Sequence, residues 1–152
     1  MSDQPTTAAP LPRPSRVSAP FWAAAREHRL VLQRSKRTGQ FVYYPRIVSP
    51  FALNDELTWE RVSGRGTVVG ATTVRHADEA ALQELVPYSL AVVELDEGPR
   101  RTTNIVGCPP DRVYVGMLVE VTFEDVTPEV TLVKFRPARE AHQSPGGPEA
   151  QP

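Results

Sequence analysis

Apolar and polar residues alternate most regularly near the C-terminus, where Val119, Val121 and Phe123 interleave with Glu120, Thr122 and Glu124. A period of two marks a strand with one face on a core and one in water. Shorter β-like runs recur upstream: Leu30-Val31-Leu32-Gln33, Gln40 to Tyr44, Trp59 to Ser63, Thr67 to Val74, Tyr88 to Leu95 and Arg101 to Val106. Leu132 to Arg136 is the last. Turn formers separate them. Ser35-Lys36-Arg37-Thr38-Gly39 predicts a hairpin between the first two runs. Ser49 to Asp55 and Asp96-Glu97-Gly98-Pro99 predict further turns. Gly64-Arg65-Gly66 interrupts what otherwise reads as one long strand from Trp59 to Val74. Glycines at such a place mark a bulge or a sharp bend, as at a barrel corner. Residues 76–87 are a mostly polar connection holding a short helical stretch, Asp78 to Leu85.

A helix is predicted at the start. Ser18 suits an N-cap and Pro20 the first turn, and Phe21-Trp22-Ala23-Ala24-Ala25-Arg26-Glu27-His28 follows. So short a helix is marginal alone and needs a surface to pack on. Phe21 and Trp22 are its anchors, either on their own domain or on a partner, because large aromatics concentrate at interface centres. Prolines crowd both ends of the chain with small and polar residues, a composition that cannot offset chain entropy. The expected layout is a disordered tail at 1–17, a helix with two hairpins at 18–56, a barrel at 57–139 and a second disordered tail at 140–152. The fold class is mainly β. Five strands, one of them bent, with a long connection after the first, match a five-stranded Greek-key OB-fold barrel. A β-sandwich, the alternative, calls for about seven strands.

Composition changes this picture mainly by exclusion. The chain has 152 residues, room for one ordinary domain. A formal net charge of -1 supplies no bulk attraction to nucleic acid or anionic membrane. Cys108 is the only cysteine, which rules out an internal disulfide and a cysteine zinc cluster and fits a reducing compartment. No secretory signal pattern is visible, and no apolar run approaches the roughly 20 residues of a membrane helix. A cytoplasmic location is expected.

Catalytic machinery is hard to find. His28, His76 and His142 are scattered, and His28 at a helix end complements the dipole without further function. Cys108 sits in a proline-fixed loop with no base beside it in sequence, the pattern of a structural thiol. Glu94, Asp96 and Glu97 read as turn residues. Ser63-Gly64-Arg65-Gly66 lacks the ending of a phosphate loop and runs into a strand. Arg34, Lys36 and Arg37, with Arg46 and Arg65, form a loose basic group. It is either a solvated face or a contact for the phosphates of an anionic ligand such as coenzyme A.

The order of these residues resembles one family. Phe21-Trp22, Leu30-Val31-Leu32-Gln33-Arg34, Tyr44-Pro45-Arg46, Trp59-Glu60-Arg61-Val62-Ser63-Gly64-Arg65-Gly66-Thr67-Val68 and Val93-Glu94-Leu95-Asp96-Glu97-Gly98-Pro99-Arg100 carry the resemblance. So do Thr103-Asn104-Ile105-Val106-Gly107, Val115-Gly116-Met117 and Phe135-Arg136-Pro137-Ala138. The family is the acyl-CoA-associated OB-fold proteins with an N-terminal rubredoxin-like zinc ribbon, the thiolase accessory proteins. The resemblance implies a non-catalytic subunit in a hetero-oligomer with a thiolase-fold enzyme, which itself holds the nucleophile and bases for CoA thioester chemistry. Its CoA thioester sits near the interface. Phe21, Trp22, Tyr43 and Tyr44 are the expected partner contacts, and Arg34, Lys36 and Arg65 the expected CoA phosphate contacts. One departure stands out. The family's two Cys-x-x-Cys pairs match Ser35 and Thr38, then Ser49 and Ala52, so zinc is not expected and the ribbon is degenerate. Two other readings remain: a single-stranded nucleic-acid module, disfavoured by the low charge and a 7% aromatic content, and a stand-alone acyl-CoA-binding protein or thioesterase.

Overall fold

The computed structural model describes residues 9–139. Residues 1–8 and 140–152, parts of the two expected tails, lie outside the described residues, as does His142. Helix α1 spans Ala19–Arg26. Ser18 holds the N-cap position but adopts helical dihedrals, and its side chain does not cap. It bonds instead with Ser15, whose N–H donates to Ser18 Oγ at 2.9 Å. A helical ψ at the cap turns the hydroxyl away from the first-turn amides, which a cap reaches from extended backbone.

Two sheets follow. The first has the order β2-β1-β3, with β1 at Val31–Ser35, β2 at Phe41–Val42 and β3 at Leu57–Arg61. The second has the order β6-β5-β4-β7-β8. Its strands are β4 at Arg65–Val74, β5 at Tyr88–Leu95, β6 at Arg100–Thr103, β7 at Leu118–Asp125 and β8 at Thr131–Pro137. All these pairings are antiparallel. A parallel bridge between Ile105 and Phe135 joins the far ends of the five-stranded sheet and curls it into the OB-fold. The connection after β4 carries a single turn of helix, α2, at Ala80–Gln83.

The long bent strand expected from Trp59 to Val74 is two strands in two different sheets. β3 pairs with β1, and β4 pairs with β5 and β7. The glycines mark this transfer, and the bulge lies further on, at the register shift between Val68 and Gly70. Gly64 has φ +75°, and a Cβ there would lie 2.3 Å from Val121 Cγ1. A Cβ on Gly66 would lie 2.6 Å from the Glu94 carbonyl oxygen. Both positions require glycine, Gly64 for its positive φ and the Val121 side chain against it, Gly66 for the backbone of β5 that passes beside it.

One core serves both sheets. Val68, Val93 and Phe135 fill the barrel, and Leu32 of β1 and Phe21 and Ala25 of α1 join the same cluster. Just past the end of α1, His28 stacks on Phe123 and meets the Asp125 carboxylate at 2.9 Å. Hydrogen bonds from Thr131 first, then His28, hold that carboxyl below the usual aspartate range.

Candidate functional site

The residues singled out as partner contacts converge on one side of the molecule, where α1 and the end of β2 meet the barrel. They do not share one environment. Phe21 is 4% exposed and belongs to the protein's own core. Of the two roles open to it, internal packing is the one it fills. Trp22 packs edge-on against Phe21 at 5.1 Å and is half-buried. Tyr43 is half-buried too, 6.2 Å from Phe21 by ring centroid, and burial raises its phenol above the ordinary value. Tyr44, its ring tilted against Tyr43 at 4.3 Å, is 57% exposed. It opens an apolar segment that sequence reasoning did not assemble. Ile47 is 85% exposed and Leu53 82%, with Val48 and Phe51 exposed between them. Gln33 anchors the base of this segment, its side-chain amide gripping Arg46 through Nε2 to the carbonyl at 2.9 Å and Oε1 to the N–H at 2.7 Å. The signal lay in the sequence: four large apolar residues from Ile47 to Leu53 without strand alternation.

Two of the four positions expected to match the family's cysteines, Ser35 and Ser49, bond to one carboxylate, that of Asp55. Ser35 Oγ donates to Asp55 Oδ2 at 2.5 Å and accepts the Thr38 N–H at 3.0 Å. The Arg37 N–H donates to Asp55 Oδ1 at 3.1 Å. Ser49 is buried and takes the Phe51 N–H on its Oγ at 3.2 Å. Hydrogen bonding from Ser35, and next from Ser49, holds the Asp55 carboxyl below the usual range. Ser35, Thr38, Ser49 and Ala52 offer no thiolate and no imidazole, and the Ser35 hydroxyl is already engaged. This donor set does not fit tetrahedral zinc. Among the described residues no group of three or more His, Cys, Asp or Glu side chains is placed to hold a metal ion.

The expected phosphate contacts are not gathered. Arg34 donates to Glu60 at 3.1 Å and to the Gly39 carbonyl at 2.8 Å, and lies over the Phe41 ring. Lys36 pairs with Glu56. Arg65 stands on the other sheet, opposite Glu120. The acidic cluster is a turn: Glu94 pairs with Arg100 at 2.7 Å, and Glu97 takes the Ser63 N–H at 2.7 Å. Cys108 is half-buried against the core and borders an apolar groove of about 540 Å³, formed by Leu82, Leu85, Pro87, Leu90 and Pro110 beside it. No helix among the described residues is long and apolar enough to cross a membrane.

The model of the ChsH2 C-terminal OB-fold domain matches residues 59–124. A DUF35 domain-containing scaffold protein of Methanocaldococcus jannaschii is 35% identical over 99 residues, which are 64% of this chain and 69% of that protein. A probable enoyl-CoA hydratase alpha subunit of Thermomonospora curvata is 33% identical over 89% of this chain, but the chain spans only 42% of its length. A solved chain of the Ltp2-ChsH2(DUF35) aldolase superposes with a TM-score of 0.74 at 33% identity, covering 83% of this chain and 98% of that one. The chain therefore belongs to the DUF35 family of OB-fold proteins.

Proposed function

We propose that the chain is a non-catalytic accessory subunit that docks on a thiolase-fold enzyme acting on CoA thioesters. The observation that carries this reading is the match to nearly the whole of a chain of the Ltp2-ChsH2(DUF35) aldolase, a complex that joins a DUF35 protein to an aldolase. The scaffold names of the archaeal relatives agree with it. Hydratase chemistry is not carried over from the Thermomonospora curvata alpha subunit, because this chain spans 42% of it.

In this reading the docking face is Tyr44 with Ile47, Val48, Phe51 and Leu53, flanked by Trp22 and Tyr43. Exposed apolar residues held on an anchored segment are what a partner's surface would cover. The ribbon works without zinc, the Asp55 network taking its place, and no other cofactor is required. The setting is the cytoplasm. A role at CoA phosphates rests on Arg65 more than on Arg34 and Lys36, whose charges are matched by Glu60 and Glu56.

The test is capture of the tagged chain from its own cells, with identification and counting of what binds. Stoichiometric recovery of a thiolase-fold subunit is expected. Substituting Ile47 and Leu53 together by serine should leave the isolated chain folded and weaken that complex by about 2 kcal/mol or more. Recovery of nucleic acid, or of a stable monomer alone, would return the single-chain readings to the front.

A further inference from the structure

Arg101 is the second residue of β6 and points inward, 9% exposed. Three rings surround its guanidinium: Tyr43 at 5.0 Å, and Phe21 and Phe135 each at 5.9 Å. Its Nη2 donates to the Val133 carbonyl at 3.3 Å. Nε and Nη1 are buried and meet no acceptor among the described residues. The ionisable neighbours acting on it are the phenols of Tyr43 and Tyr44, not carboxylates. Burial pulls the guanidinium below its ordinary value, yet arginine stays charged in any protein.

Such a charge is anomalous. Attraction to ring faces offsets only part of the cost of removing a cation from water, and buried donors in folded proteins are almost always satisfied. The row of contacts from Arg101 through Tyr43 ends at exposed Tyr44, the first residue of the docking face argued above.

We propose that Arg101 is a carboxylate socket, filled by an acidic side chain of the thiolase-fold partner when the two subunits assemble. This rests on the accessory-subunit reading. A carboxylate supplies the opposite charge and can accept from either orphaned donor, Nε or Nη1. A phosphate would demand further cations, and Arg34 and Lys36 are already paired while Arg65 lies on the other sheet. The Tyr43-Tyr44 pair is the wall that must shift to admit the acid. The free subunit thus carries an unmatched charge that assembly neutralises.

The experiment compares the full-length wild type, Arg101→Met and Arg101→Lys by thermal unfolding of the isolated chain and by dissociation constant with the co-purified partner subunit. Met removes the charge at similar length, and Lys keeps the charge without the fork. Arg101→Met should unfold at the same temperature as wild type or higher, and bind the partner about thirtyfold more weakly or worse. Arg101→Lys should bind with intermediate affinity. If Arg101→Met lowers the unfolding temperature or fails to fold, Arg101 is an internal pillar and the proposal is wrong. Unchanged affinity in both variants also overturns it. A stabilisation of wild type by acetate over chloride at equal ionic strength, absent from Arg101→Met and with complex affinity unaltered, would assign the socket to a small carboxylic acid instead. Failure of the wild-type chain to bind any thiolase-fold subunit would overturn the accessory-subunit reading itself.

Discussion

The barrel and the tip of the hairpin unit solve the same problem with different materials. The barrel curls around an apolar core in which Val68, Val93 and Phe135 are fully buried. The tip, from Ser35 to Glu56, has no such centre. Its chain crossings are joined by hydroxyls and backbone amides converging on Asp55. Apolar burial is insensitive to pH and spreads over many contacts. A carboxylate network is directional, depends on ionisation, and fails locally. A small loop region too short to bury a core needs a central organiser, and here the Asp55 carboxylate fills that role.

The contrast can be broken from either side. Phe135→Ala should cost about 4 kcal/mol in chemical denaturation and loosen both sheets together, since Phe135 touches the shared core. Ser89→Ala comes next. Its buried hydroxyl donates to the Ile105 carbonyl at 2.8 Å and accepts the Ile105 N–H at 2.9 Å, so its removal should cost about 2 kcal/mol by stranding both groups. Asp55→Asn should act on the tip alone, seen as faster amide exchange at Arg37 and Thr38 with the barrel amides unchanged. Because the folded Asp55 value lies below its ordinary 3.8, the wild-type contribution is fully present above that ordinary value. It fades as pH falls through the lowered folded value. Protection of the two amides, corrected for the intrinsic pH dependence of exchange, should therefore fall as the pH drops below 3.8 in wild type and show no such step in Asp55→Asn. A cooperative loss of the whole fold in that variant would erase the distinction between the two regions. The smallest effect belongs to Lys36→Ala, which removes an exposed pair with Glu56 and should shift stability by about 0.5 kcal/mol or less.

Much of the barrel was legible because its strands announce themselves locally. The strand at Val119 to Glu124, the turn at Asp96-Glu97-Gly98-Pro99 and the polar hairpin ending at Gly39 all appear where their residues predict. The fate of the Gly64-Arg65-Gly66 break was not legible. A glycine pair permits a kink within one sheet or a transfer between two, and only the pairing of Ser35 with Leu57 decides for transfer. The site was less readable still. Phe21 and Trp22 are adjacent and chemically alike, yet one fills the core and the other lies at its edge, a difference set by the orientation of α1. Asp55 escaped notice because its partner Ser35 is 20 residues away. The clue was present all the same, as Asp55 is the only acid in the turn beginning at Ser49. Arg101 alternates as any strand residue does, and nothing local distinguishes a buried arginine from a solvated one.

The single bridge that closes the barrel has a consequence for colloidal behaviour. Because Ile105 and Phe135 meet beyond the end of β6, that strand remains a sheet edge of only four residues. Unpaired edges invite strands from other molecules and seed aggregates. Here the edge opens with two arginines in succession, one paired to Glu94 and one turned inward beneath aromatic rings. A strand so short and so charged is a poor template for a foreign chain, which lets an incompletely closed barrel persist in a crowded solution.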